Sequence, residues 1–121
     1  MDYAERVRRI ALSLPEVADA SNPGSLAFTV TGKGFAWSWQ ERIEPKKPRK
    51  PRLDVLAVRC DLEKRDILLE AAPDRFFTEP HYNGYPAILI RLDAIGDEEL
   101  AAMLTTAWKR TAPPKLAKTL D

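Results

Sequence analysis

An α+β fold of two layers, a five-stranded antiparallel sheet with helices on one face, is what the sequence predicts, and two observations carry most of that reading. Apolar residues recur at helical spacing near both ends of the chain, at Tyr3, Val7, Ile10, Ala11 and Leu14 and again at Leu100, Met103, Leu104, Ala107 and Trp108. Between them, runs with a period of two are joined by turns marked by glycine and proline, too short for a crossover helix, so the strands pair antiparallel. The predicted order is α-β-β-β-α-β-β-α, without βαβ alternation.

In the first helix Glu5, Arg6, Arg8 and Arg9 fall away from the apolar stripe, and Pro15 ends it. The stretch EVADASNPGS reads as a loop. Leu26, Phe28 and Val30 then share one face of a strand, Gly32-Lys33-Gly34 makes a hairpin turn, and the returning strand sets Phe35, Trp37 and Trp39 on one face opposite Ala36, Ser38 and Gln40. Leu53 to Cys60 reads as a third strand. Asp61 is placed to cap a helix from Leu62 to Ala71 with its side chain, and Pro73 stops that helix. The stretch FFTEPHYNGYPAILIRL, Phe76 to Leu92, reads as short strand, loop, strand, displaying His81 and Tyr82 and burying Ile88-Leu89-Ile90. Gly96-Asp97 opens the last helix, and Pro113-Pro114 closes it, leaving a short basic tail over 113–121.

At 121 residues the chain is expected to be one domain, long enough to bury roughly two thirds of the surface it would expose unfolded. The single Cys60 excludes an internal disulfide and fits a reducing compartment. No segment approaches the ~18 apolar residues of a membrane span, so a cytoplasmic protein without a membrane partner is expected. Nineteen Lys and Arg against eighteen Asp and Glu leave no global field to attract nucleic acid.

Any electrostatic partner must therefore be met locally, and the densest patch is the hairpin loop 41–53 with its run EPKKPRKPR. Pro45, Pro48 and Pro51 stand three apart, the period of a polyproline II helix, which would align Lys46, Arg49 and Arg52 on a second edge and Lys47 with Lys50 on a third. The functional reading is phosphate contact with DNA by Arg42, Lys46, Lys47, Arg49, Lys50 and Arg52, or a proline-rich ligand for a partner protein. The plain alternative is a solvated loop.

A second candidate is a pocket around His81, Tyr82, Tyr85 and Trp37, with Cys60 or Glu79 as acid–base or nucleophilic partners. Against it stand a structural role for His81 in the turn and an inert, buried Cys60. Trp37 and Trp39 either stack on nucleic-acid bases or belong to the core. One His and one Cys do not make a metal site, and no cofactor is indicated.

The segments ALSLPEV, LAFTVTGKGFAW, LAVRCDLEKRDILLEAAPDRFFTEPHYNGYPAILIRLDAI and ELAAMLTTAWKRTAPPKLAK, with Leu14-Pro15-Glu16, Gly32-Lys33, Pro80-His81-Tyr82 and Trp108, resemble the MmcQ/YjbR family over nearly the whole chain. The resemblance implies a two-layer α+β domain shaped like frataxin-like and secretion-chaperone-like proteins, and a DNA-binding role. The basic insertion departs from the family pattern. The frataxin-like shape raises iron binding through an acidic first helix, but Arg6, Arg8 and Arg9 outnumber Asp2 and Glu5 there. The leading expectation is a small non-enzymatic module touching DNA weakly and without sequence preference through the basic loop, with Lys109, Arg110, Lys115 and Lys118 as further contacts. A small-ligand or enzymatic role in the His81 pocket and a dimeric protein-binding scaffold are the alternatives.

Overall fold

The structure is a computed structural model that describes residues 2–41, 46–82 and 84–120, and His81 by its backbone alone. Its elements run α1 (Tyr3–Ala11), β1 (Val17–Asp19), β2 (Ala27–Val30), β3 (Lys33–Glu41), β4 (Lys50–Arg59), α2 (Leu62–Ala71), β5 (Phe76–Phe77), a 3₁₀ turn (Pro80–Tyr82), β6 (Ala87–Arg91), α3 (Asp97–Thr111), α4 (Pro114–Ala117) and a final 3₁₀ turn (Lys118–Leu120). The fold is α+β with an open antiparallel sheet in the order β1-β2-β3-β4-β6-β5.

The sheet has six strands rather than the expected five. The extra one, β1, lies in the stretch read as a loop, where Val17, Ala18 and Asp19 pair with Val30, Thr29 and Phe28. Three residues carry too little alternation to be read, and their strand conformation follows from the backbone groups that β2 offers at its open edge. The basic tail is a correction too. Pro114 starts a further helix, α4, and Leu116 and Ala117 pack against the main core.

The main core lies between the sheet and the helices, where Phe28, Leu56, Ile88, Ile90 and Phe76 meet Val7, Leu100, Leu104 and Trp108. A second, smaller cluster lies on the opposite face, built from Trp39, Val55, Ala57, Tyr82 and Leu89 with Trp37 and Phe77 packed against it. The single-face reading of Phe35, Trp37 and Trp39 therefore needs correction, and a β-bulge supplies the reason. Pairing passes from Phe28 opposite Ala36 to Thr29 opposite Gly34, so Phe35 is an extra residue on β3. An extra residue reverses the alternation beyond it. Phe35 and Ala36 both enter the helix-side core, and Trp37 and Trp39 fall on the other face. Ser38 returns to the buried side, where its Oγ accepts the Leu26 amide at 2.9 Å.

The turn between β2 and β3 is Thr31-Gly32, with Lys33 and Gly34 already in the strand. Both turn residues have positive φ, 50° at Thr31 and 82° at Gly32, as the right-handed twist of a two-residue hairpin demands. Asp61 stands at the N-cap of α2, but its side chain caps nothing and instead accepts the Arg110 guanidinium.

Candidate ligand-binding face of the sheet

Helices cover one face of the sheet, and the other face carries a second cluster of aromatic and apolar side chains. Trp37 and Trp39 reach that face from β3, Tyr82 and Tyr85 from the loop before β6, and Phe77 from β5. Trp37 and Tyr85 meet edge to face with centroids 6.4 Å apart, Trp39 and Phe77 do so at 5.4 Å, and Tyr82 lies 5.9 Å from Tyr85. Arginines are interleaved with the rings. Arg59 lies 5.8 Å from the Trp37 centroid and 6.0 Å from that of Tyr85, Arg91 stands 4.1 Å from Phe77, and Arg52 stands 6.0 Å from Trp39.

Within this face Trp37, Gln40, Arg49, Tyr82 and Tyr85 line an open cavity of about 500 Å³. Trp37 Nε1 donates to the Tyr82 hydroxyl at 3.2 Å, which joins two of its walls. Burial pushes the Tyr82 phenol up from its ordinary pKa, so it stays neutral near pH 7. Arg49 is held in place as it donates to the Gln40 carbonyl at 2.7 Å and pairs with Glu79 at 3.4 Å. The two candidate sites of the sequence thus meet, since Arg49 of the basic loop and Trp37, Tyr82 and Tyr85 of the pocket share one space.

The loop that carries the tyrosines is fastened by a residue that sequence reasoning missed. Arg65, on α2 and 7% exposed, donates through Nη1 to the carbonyls of Tyr82 at 2.8 Å, Tyr85 at 3.0 Å and Ala87 at 3.4 Å. Asp66 approaches it only at 4.0 Å and is itself well exposed. No periodicity marks such an arginine, because only the folded loop turns three carbonyls toward it.

Among the described residues, the expected polyproline rod gives way to a strand from Lys50 onward. Lys50, Pro51 and Arg52 belong to β4 and pair with Glu41, Gln40 and Trp39. Among the described residues, β4 pairs at that end with β3 alone, the setting in which a strand tolerates proline. Arg52 grips Asp54 through two parallel bonds at 2.8 and 2.7 Å and Glu41 through a third at 2.8 Å, so its charge is already answered. Lys46, Lys47 and Lys50 are exposed. Arg42, Pro45 and the His81 side chain lie outside the described residues.

Cys60 is buried in the helix-side core, away from the cavity, and burial pushes its thiol up. Among the described residues no group of three or more His, Cys, Asp or Glu side chains is placed to hold a metal ion, and no helix is long and apolar enough to cross a membrane.

Comparison with known proteins agrees with this architecture. Uncharacterized proteins of Mycobacterium bovis and of two strains of Mycobacterium tuberculosis are each 32% identical over 119 residues, covering 93% of this chain and 90% of theirs. The crystal structure of the Deinococcus radiodurans protein DR2400, with family-model domain DUF419, superposes with a TM-score of 0.65 at 20% identity, over 91% of this chain and 78% of that one, and so shares the fold. The YjbR family model matches residues 12–110. By the length of that match and the mycobacterial identities together, the chain belongs to the YjbR family.

Proposed function

We propose that this YjbR-family protein is a binding module that takes up a flat, anionic ligand in the cavity on the open face of its sheet. The observation that carries the reading is the convergence of Trp37, Tyr82, Tyr85 and Arg49 on one space of about 500 Å³, a size and lining suited to a small ligand. The rings supply flat contact area, and Arg49 supplies charged donors for a carboxylate or phosphate. Catalysis has less support, since Cys60 lies in the opposite core and the neutral Tyr82 phenol is a hydrogen-bonding group rather than a base near pH 7. Titration of the tryptophan fluorescence with benzoate, nicotinate and AMP tests the reading. At least one of them quenches it saturably, and Arg49→Ala raises the dissociation constant about tenfold, or about 1.4 kcal/mol. No saturable quenching by any of the three at millimolar concentration rejects the reading.

The exposed Lys46, Lys47 and Lys50 favour a second reading, weak contact with duplex DNA at the β3–β4 connection. Three neutralised phosphates give a slope of log affinity against log salt of about −2.7, with dissociation constants on the order of 10⁻⁴ to 10⁻⁶ M at physiological salt. Changing the three lysines to Ser is expected to abolish that slope with little change in melting temperature. An unchanged slope in the triple variant counts against it.

A further inference from the structure

We propose that the ligand of the cavity is a nucleotide, its base held among Trp37, Tyr82 and Tyr85 and its phosphate in an adjoining cleft formed by Lys33, Arg59 and Arg110. The inference deepens the reading of the cavity as a site for flat anions and rests on it. The cleft holds about 440 Å³ and is lined by Lys33, Arg59, Arg110 and Thr111, and its three cations are the groups that phosphate oxygens seek. Arg59 joins the two spaces. Its Nε donates to the Gly34 carbonyl at 2.6 Å, which fixes the guanidinium at the end of the sheet, and that guanidinium lies 5.8 and 6.0 Å from the centroids of Trp37 and Tyr85, two walls of the cavity.

Charge in the cleft is only partly answered. Arg110 pairs with Asp61, whereas neither Lys33 nor Arg59 has a carboxylate partner among the described residues. Tyr85, 38% exposed, lines the cavity and lies 6.0 Å from the Arg59 guanidinium, with a ring on which a base can stack. Gln40 and Arg49 also line the cavity; Gln40 Nε2 donates to Ser25 Oγ at 3.2 Å, and its side-chain carbonyl and the Arg49 guanidinium are groups that match the hydrogen-bonding edges of bases. A flat ring with polar edges, joined through a sugar to a phosphate, is the chemistry that fits this succession, and both a free mononucleotide and one unit of a single strand provide it.

The test is a fluorescence titration of the intact chain with adenosine, AMP, a single-stranded adenine octanucleotide and the duplex of that octanucleotide. AMP is expected to bind at least fivefold more tightly than adenosine. Lys33→Ser and Arg59→Gln are each expected to remove most of that advantage, and Lys33→Ser, at an exposed position, to leave adenosine affinity and melting temperature unchanged. An octanucleotide at least tenfold tighter than AMP identifies a single strand as the source of the nucleotide, and equal affinities identify a free nucleotide. Equal binding of AMP and adenosine overturns the proposal, as does AMP affinity unaltered in both variants. Duplex binding as tight as single-strand binding also overturns it, because paired bases are stacked inside the helix. If benzoate or nicotinate still quenches in those cases, the cavity reading stands without the nucleotide; silence from every probe removes both.

Discussion

Arg65 shows how one buried side chain can hold the wall of a cavity. Its carbonyl partners are Tyr82 and Tyr85 of the loop that walls the cavity and Ala87 at the start of β6, so the guanidinium is a positioning group for the two tyrosines. Arg65→Met is expected to cost about 2–3 kcal/mol, since it removes a charged donor and leaves carbonyls unpaired. It should also weaken any cavity ligand severalfold. Arg65→Lys, with a point charge in place of a planar fork, should recover only part of both. Urea denaturation alongside ligand titration measures the two effects, and a stability loss under about 0.5 kcal/mol would show that the loop stands without it. Thr31 is the opposite case, a β-branched residue held at φ 50°. Thr31→Asn makes an Asn-Gly turn and is expected to stabilise the protein by about 0.5–1 kcal/mol in the same measurement. A destabilised variant would mean that the bond from Thr31 Oγ1 to the Val30 carbonyl, 2.7 Å long, matters more than the backbone strain.

Among the elements, α3 and β3 contrast in how far their sequences announce them. The i, i+3, i+4, i+7 pattern of α3 places Leu100, Met103, Leu104, Ala107 and Trp108 inward, and all five are buried. Trp108 is fully buried, and its Nε1 donates to the Pro15 carbonyl at 2.9 Å, tying α3 to the exit of α1. Trp108→Ala should cost about 3–5 kcal/mol by reversible denaturation. Trp108→Phe, which keeps most of the ring but loses the donor, should cost less. A cost below about 1 kcal/mol for the alanine variant contradicts the packing. In β3, by contrast, plain alternation misassigns Phe35, because nothing in the run KGFAWSWQE marks the bulge. The bulge is what frees Trp37 and Trp39 from the main core and places them on the face opposite the helices.

At the scale of the whole molecule, ion pairs join elements far apart in the chain. Arg6 on α1 binds Asp97 at the start of α3 and donates to the Leu92 carbonyl at 2.6 Å and to that of Ile95. Asp97 is held below the usual carboxylate range chiefly by Arg6, Asp54 chiefly by Arg52, and Asp19 first by the Ser21 hydroxyl and amide and then by Arg8. Folded values below the unfolded value of about 3.9 mean that this stabilisation is present above pH ~4 and is lost as pH falls through the lower folded values. The urea midpoint should therefore hold steady from pH 7 to 5 and drop below about pH 4, with a smaller drop in Arg6→Gln. A midpoint indifferent to pH down to 2.5 would refute the assignment.

The α+β class, the amphipathic α1 and α3, the Phe76–Leu92 strand pair and the family were legible in the sequence, because each rests on local periodicity or on short motifs that can be read along the chain. So were Trp37, Tyr82, Tyr85 and Arg49, but only as members of two separate candidates. Tertiary structure alone decided that they share a cavity, that β1 is a strand, that Arg52 is spent on Glu41 and Asp54, and that Arg65 holds the loop. The physical reason is common to all four. Side-chain periodicity records which residues avoid water, whereas a strand edge, an ion pair or a buried donor depends on which distant backbone or charge comes within hydrogen-bond reach, and that is settled only when the chain closes on itself.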